Sequence, residues 1–262
     1  MALTNIHPTA VIDAGASLGN DVTVGPYCVI GAGVELGDRC ALHSQVTLGG
    51  PALIGAENEF YPHCAVGGRS QDLKYAGEPT YLAIGSGNTF REFVTVNRGT
   101  SQGDTTSIGN NGHFLAYSHI AHDCVVGNGV IFSNNGTLAG HVTVADHAIL
   151  GGLSAIHQFC RVGRHAITGG CSKIVQDVPP FMIADGNPAQ VRGVNAVGLQ
   201  RHGFPEEQVR ALKEAYKSIY KHSLTVAEAI SALKDRHADE GPDYPVNELV
   251  DFLEASERGI IR

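Results

Sequence analysis

Four histidines are the side chains of this 262-residue chain best suited to chemistry. Two lie in the segment His119-Ile120-Ala121-His122-Asp123, and the others are His141 and His157. An imidazole changes charge near neutral pH, so it can take a proton from a hydroxyl as that oxygen attacks. Several together can instead hold zinc, and His119 and His122 have a His-x-x-His spacing, although two residues do not define a site. A histidine taken singly is more often structural or solvated. The chain has thirteen, so position has to decide. Other chemistries lack their motifs. There is no Gly-x-x-x-x-Gly-Lys-[Ser/Thr] phosphate loop and no Gly-x-Ser-x-Gly elbow of a serine hydrolase.

The element that must position these histidines is a repeat with a period of six. From Ile6 to Ile174, 25 of the 29 multiples of six are large and apolar; the exceptions are Asp72, Glu78, Gln102 and Thr168. A helix repeats every 3.6 residues and a strand every 2, so neither produces a strict six. A short strand followed by a turn, with one inward anchor per unit, does. Three units close a triangle, so one circuit takes three sixes, and circuits stack as parallel strands ~4.8 Å apart. Glycine often follows the anchor (Gly19, Gly25, Gly31, Gly37, Gly55, Gly127, Gly163), as a corner with unusual φ would require. The residue four past the anchor is small, and Cys28, Cys40, Cys64, Cys124 and Cys160 all stand there, so these cysteines read as interior fillers. On division by 18, His119, His122, His141 and His157 leave 11, 14, 15 and 13. They therefore share one edge of the prism over successive circuits. Gly140 follows His122 by one full circuit, which puts its N–H one rung above, where it could meet an oxyanion formed beside that imidazole.

The exceptions mark departures from the prism. Asp72 and Glu78 lie in Arg69 to Thr80, and Gln102 lies in Thr100 to Ser107, so both stretches are expected to loop out. Near residue 204 the composition changes. Residues 1–204 hold 24 charged residues and 31 glycines; residues 205–262 hold 20 and 2. Three amphipathic stripes follow: Val209, Leu212, Tyr216 and Ile219 after Pro205; Ile230 and Leu233 after the capping box at Thr225-Val226-Ala227-Glu228; and Val246, Leu249, Val250 and Leu253 after Pro245. The chain divides into a repeat domain, residues 1–190 with an external loop at about 69–82, and a helical domain, residues 191–262. The formal charge of −8 argues against nucleic-acid binding. No run of 18 apolar residues suggests a membrane span. Six cysteines with no Cys-x-x-Cys pair fit a reduced, cytoplasmic protein.

The six-residue ladder, Gln71-Asp72-Leu73-Lys74-Tyr75-Ala76-Gly77-Glu78-Pro79-Thr80, His119-Ile120-Ala121-His122-Asp123-Cys124, Leu138-Ala139-Gly140-His141-Val142, Ala155-Ile156-His157-Gln158-Phe159-Cys160 and the helical tail together closely resemble the bacterial UDP-N-acetylglucosamine O-acyltransferases. The ladder alone is shared by many acyltransferases; the loop and the histidine segments are the specific part. The resemblance implies a mainly β chain, a left-handed parallel β-helix with a C-terminal helical domain. It implies a homotrimer with active sites between subunits. It implies transfer of an (R)-3-hydroxyacyl group from acyl carrier protein to the glucosamine 3-hydroxyl of UDP-N-acetylglucosamine, the first step of lipid A synthesis. Transfer would be direct, with no cofactor, no metal and no covalent acyl-enzyme.

By that resemblance His122 is the base, Asp123 the acid that pairs with it, and Gly140 the oxyanion donor. Neighbours along a strand point apart, so the His122–Asp123 pair needs a corner. Asp72 and Lys74 match loop residues that bind the sugar and acyl substrates from an adjacent subunit. His119, His141 and His157 match cleft residues. Gln158, Asn195 and Arg201 match nucleotide-sugar contacts, and Gly170 matches the position that limits acyl length. Asn97 stands where relatives often carry histidine, and Val197 and His202 replace polar or charged residues of some relatives near the nucleotide. Arg161, Arg164 and Arg201 are candidates for docking the acidic carrier protein. Three alternatives remain open: an N-acyltransferase acting on a 3-amino nucleotide sugar, a zinc carbonic anhydrase of the same coil architecture with metal on His122 and His141, and a non-catalytic β-helix.

Overall fold

The computed structural model describes residues 4–222, 224–241 and 243–262. Short parallel strands form the three faces of a prism, in stacks of eleven, nine and eight. Strands one rung apart pair at a separation of one full circuit, as in Thr23↔Ala41 and Thr137↔Ala155. Of the 25 apolar anchors, Ile6, Ile12 and Leu18 at the open first circuit are not buried. The remaining 22, from Val24 to Ile174, are. Phe60, Phe90, Phe114 and Phe132 form a column within that core, the first three stacked and Phe132 edge-on, with successive ring centroids 4.9 to 5.1 Å apart. The five cysteines of the small-residue slot are all buried, with thiols free.

The polar exceptions divide into two kinds. Across the first excursion Ala65 pairs with Thr95, a circuit lengthened by two units of the repeat. Across the second Thr95 pairs with His119, a circuit lengthened by one. Both excursions thus insert whole units and preserve the phase of the ladder. The second is shorter than expected, because Thr105–Ile108 is already a strand. Thr168 is different: it stays inside, 1% exposed, and its Oγ1 accepts from the Gly151 N–H at 3.0 Å and donates to Ser154 Oγ at 3.3 Å.

The corner glycines have a different cause from the one expected. The residues with positive φ stand three past the anchor and are rarely glycine: Asp21, Tyr27, Asp123 and His141 have φ of 56°, 59°, 61° and 59°. The glycines directly after the anchor, Gly31 excepted, are required by contact between circuits. A Cβ on Gly25 would lie 2.4 Å from the carbonyl oxygen of His43 one rung above.

The stripes of the tail become α2 (Glu206–Tyr220), α3 (Val226–Arg236) and α4 (Pro245–Glu254), preceded by a short α1 (Ala196–Arg201) that no stripe signalled. The Thr225–Glu228 capping box forms, whereas Pro205 sits at the N-cap of α2, just outside the first turn. The expected boundary at 190/191 cuts a strand, Ala189–Val194. That strand pairs antiparallel with Met182–Gly186 and continues the prism's largest sheet. Helical structure begins only at Ala196.

Arg161 and Arg164, candidates for docking the carrier protein, have partners within the chain. The Arg161 guanidinium lies 4.2 Å from the Phe252 ring centroid and donates to the Ala255 carbonyl, and Arg164 makes a bidentate pair with Glu248. Both fasten α4 to the prism.

Where α1 meets the prism, His165 is buried between His147 and His202, ring centroids 4.9 and 4.6 Å away, with Phe204 at 5.2 Å. Burial, and then the charge of Arg164, push the His165 pKa down to about 3. The unfolded chain takes up a proton there below ~6.5 while the folded chain does not, so stability falls as pH drops from ~6.5 towards 3. The His165 ring makes no hydrogen bond among the described residues, so His165→Phe is expected to give a shallower fall of Tm between pH 7 and 4. Thermal melts of the two proteins across that range check it; parallel curves would show that His165 is not the group titrating.

Candidate active site

His119 lies in a two-residue strand, and the turn that follows carries His122 and Asp123. Positive φ at Asp123 turns its side chain back toward its neighbour, so that His122 Nδ1 meets Asp123 Oδ2 at 2.7 Å. This is the corner geometry the pairing needed. With Nδ1 donating to the carboxylate, Nε2 is the acceptor left facing the cleft. The Asp123 carboxylate is 8% exposed; its Oδ1 accepts from the Thr100 N–H at 3.1 Å, and His141 Nε2 lies 3.6 Å from Oδ2. Its backbone is held too, the Asp123 N–H donating to Thr106 Oγ1 at 2.8 Å.

Gly140 stands one rung above His122, as the circuit length predicted. A Cβ there would lie 2.3 Å from His122 Cε1, so only glycine leaves room for the ring. Among the described residues the Gly140 N–H donates to no backbone or side-chain acceptor, which leaves it available to a bound oxyanion.

His119, His122, Gly140, His157 and Gln158 line one cleft of about 490 Å³, floored by small and apolar residues such as Ala139, Ala155 and Ile156. The His119 Nδ1 meets Thr95 Oγ1 at 2.8 Å; burial, and then the neighbouring His122, lower its pKa. His141 stands beside the cleft, its ring stacked 4.7 Å from Phe159.

The other expected site residues are not gathered here. Gln71 reaches the cleft, but Asp72 and Lys74 lie farther along the loop and do not line it. Gly170 is exposed at a corner between the eleven- and nine-stranded faces, whereas His122 follows the nine-stranded one. Arg201 is exposed in the last turn of α1. Asn195 is buried as the N-cap of α1, accepting from the Gly198 N–H at 3.0 Å and donating to the His165 carbonyl at 2.9 Å. Its amide is engaged in the fold, and the sequence signal for that was its place before Ala196. Asn97 donates to the Arg69 carbonyl at 2.7 Å and so roots the first excursion.

The ligand atoms of His122, Asp123 and His141 lie within 4.8 Å of one another, a spacing that can hold a metal ion. The 2.7 Å between Nδ1 and Oδ2 is a hydrogen-bond length, shorter than the roughly 3.3 Å that separates ligands around a tetrahedral zinc with ~2.0 Å bonds. The arrangement fits a proton-sharing pair better than a metal centre.

A coiled prism that sets an imidazole, its partner carboxylate and a free amide over an apolar cleft has the architecture of the hexapeptide-repeat acyltransferases. Residues 4–38 match the bacterial transferase hexapeptide family, and residues 177–261 match the second domain of UDP-N-acetylglucosamine O-acyltransferase. The acyl-[acyl-carrier-protein]–UDP-N-acetylglucosamine O-acyltransferase of Verminephrobacter eiseniae is 49% identical over 99% of this chain and 100% of its own length. The solved LpxA of Acinetobacter baumannii superposes with a TM-score of 0.94 at 45% identity, covering 98% of this chain and 99% of that one. The UDP-N-acetylglucosamine acyltransferase of Francisella novicida gives 0.94 at 36% identity, covering 98% and 94%. The chain belongs to the acyl-[acyl-carrier-protein]–UDP-N-acetylglucosamine O-acyltransferase family, and its prism is the left-handed parallel β-helix of that family.

Proposed function

We propose that this chain transfers an (R)-3-hydroxyacyl group from acyl carrier protein to the 3-hydroxyl of UDP-N-acetylglucosamine, the first step of lipid A synthesis. The observation that carries the reading is the His122 imidazole, locked at Nδ1 by Asp123 and open at Nε2 beneath the free Gly140 amide. The sugar oxygen attacks the thioester carbonyl as its proton passes to Nε2. The tetrahedral oxyanion accepts a hydrogen bond from the Gly140 N–H. On collapse the C–S bond breaks, and the imidazolium returns the proton to the departing carrier thiolate. No covalent intermediate and no metal enter the scheme. No helix among the described residues is long and apolar enough to cross a membrane. The six free cysteines, five of them buried, support a cytoplasmic setting.

We infer a homotrimer in which each cleft is completed by a neighbour. Asp72, Lys74 and Arg201, which the resemblance assigns to substrate, lie outside their own cleft, and a neighbour's cleft would give them that role. The test is a transfer assay that offers UDP-N-acetylglucosamine with a series of hydroxyacyl carrier proteins. Carrier-dependent acylation is expected, and none with any chain length would defeat the reading.

Gly170 carries a related prediction. A Cβ there would meet only the Gly152 carbonyl oxygen, at 3.5 Å, so space lies open beyond it. Gly170→Met is expected to fill that space and shift preference to shorter acyl chains in a competition assay. An unchanged preference would remove Gly170 from the acyl groove.

A further inference from the structure

The two excursions are bonded to each other and to the His122–Asp123 pair. Arg98 N–H donates to the Gly68 carbonyl at 2.9 Å, Asn97 Nδ2 to the Arg69 carbonyl at 2.7 Å, and Gly103 N–H to the Pro79 carbonyl at 2.9 Å. Beside these, the hydroxyls of Ser70 and Thr100 meet at 2.7 Å. An unbroken hydrogen-bonded chain results. Lys74 N–H donates to Asp72 Oδ1 at 2.8 Å, and Asp72 N–H donates to Ser70 Oγ at 3.2 Å. Ser70 Oγ bonds Thr100 Oγ1, Thr100 N–H donates to Asp123 Oδ1 at 3.1 Å, and Asp123 Oδ2 accepts from His122 Nδ1 at 2.7 Å. It begins in an exposed loop and ends at a cleft wall. Thr100 is its buried midpoint, 7% exposed.

We propose that Thr100 is a positioning residue that ties the 69–80 loop to the catalytic pair, so that the loop's placement sets the orientation of the Asp123 carboxylate. This rests on the function proposed above. The Thr100 hydroxyl touches no reacting atom; it fixes the second excursion so that the Thr100 amide meets Oδ1. Oδ2 then faces the imidazole and holds it with Nε2 toward the cleft. A misplacement of about 1 Å caused by a change away from the reacting atoms can cost 10²-fold, and a loosened pair that still holds its other contacts should lose less. Asp123 itself keeps the Thr106 contact, so cutting the link loosens the pair without dissolving it.

The experiment compares wild type, Thr100→Val, Thr100→Ser, Ser70→Ala and the Ser70→Ala/Thr100→Val double variant in the carrier-dependent transfer assay. Valine keeps the shape of threonine and removes the hydroxyl, while serine keeps the hydroxyl. The expected result is a roughly tenfold fall in kcat for Thr100→Val, with KM for UDP-N-acetylglucosamine changed less than about threefold. Thr100→Ser should retain most of the wild-type kcat. Ser70→Ala should reproduce much of the loss from outside the prism, which keeps the test available if Thr100→Val folds poorly. The double variant should be no worse than the lower single one, because both changes cut one link. Single-variant kcat values at the wild-type level, losses that multiply in the double variant, or a serine variant as poor as valine would overturn the coupling. In those cases wild type still transfers acyl groups and the functional reading stands; a wild type that transfers none defeats that reading instead.

Discussion

His122→Ala is expected to lower kcat/KM by ~10²–10⁴ while the chain stays folded. The magnitude is that of a positioned general base. Folding should tolerate the change because the imidazole belongs to a cleft wall and not to the anchor column: its side chain, 12% exposed, sits at a corner, and among the described residues its ring hydrogen-bonds Asp123 alone. Losing the imidazole leaves Asp123 Oδ2 with His141 3.6 Å away, a cost on the order of 1–3 kcal/mol that lowers the melt without unfolding the prism. Kinetics with saturating carrier substrate, set beside a thermal melt, check both halves. Retention of more than about a tenth of the wild-type kcat/KM would mean that something other than His122 takes the proton.

The second large effect belongs to a residue without a side chain. Gly140→Ala places a methyl 2.3 Å from His122 Cε1 and 2.6 Å from Nε2. The Gly140 backbone is not in the left-handed region, so alanine is acceptable there on conformational grounds. The conflict is with a ring that can rotate away at little cost to the fold. The same rotation breaks the bond to Asp123 and carries Nε2 from its place, and a misplacement of about 1 Å can cost 10²-fold. Gly140→Ala is therefore expected to lose at least 10²-fold in kcat with a nearly wild-type melt. In a His122→Ala background the methyl fills space the ring has vacated, so the second change should cost little more. Multiplying losses in the double variant would show that Gly140 acts independently of the ring.

The prism was legible in the sequence because its rule is periodic and blind to residue identity beyond one slot in six. The three-unit circuit brought His119, His122, His157 and Gly140 to one cleft, with His141 standing beside it and not in its lining. The excursions were legible for the same reason, since each inserts whole units and leaves polar residues at Asp72, Glu78 and Gln102. What escaped was set by contacts between circuits. Positive φ falls on residues as different as Tyr27, Arg39 and Leu153, so no residue type announces it. Most glycines beside the anchors were assigned to φ when the neighbouring rung excludes their Cβ. The partners of Arg161 and Arg164 escaped because nothing in the chain shows that Phe252 and Glu248 lie beside them. Thr100 was missed because its role depends on two excursions meeting. Asp72, Lys74, Gly170, Asn195 and Arg201 came only from resemblance, and in a single chain they stand apart from the cleft.

The most direct measurement incubates purified protein with UDP-N-acetylglucosamine and a 3-hydroxyacyl carrier protein, then locates the acyl group on the sugar. The account predicts one acyl ester on the 3-oxygen for each carrier thiol released, with no acyl group retained on the protein and the yield abolished by His122→Ala. An acylated protein intermediate, an ester elsewhere on the sugar, or an undiminished yield without the His122 imidazole would contradict it.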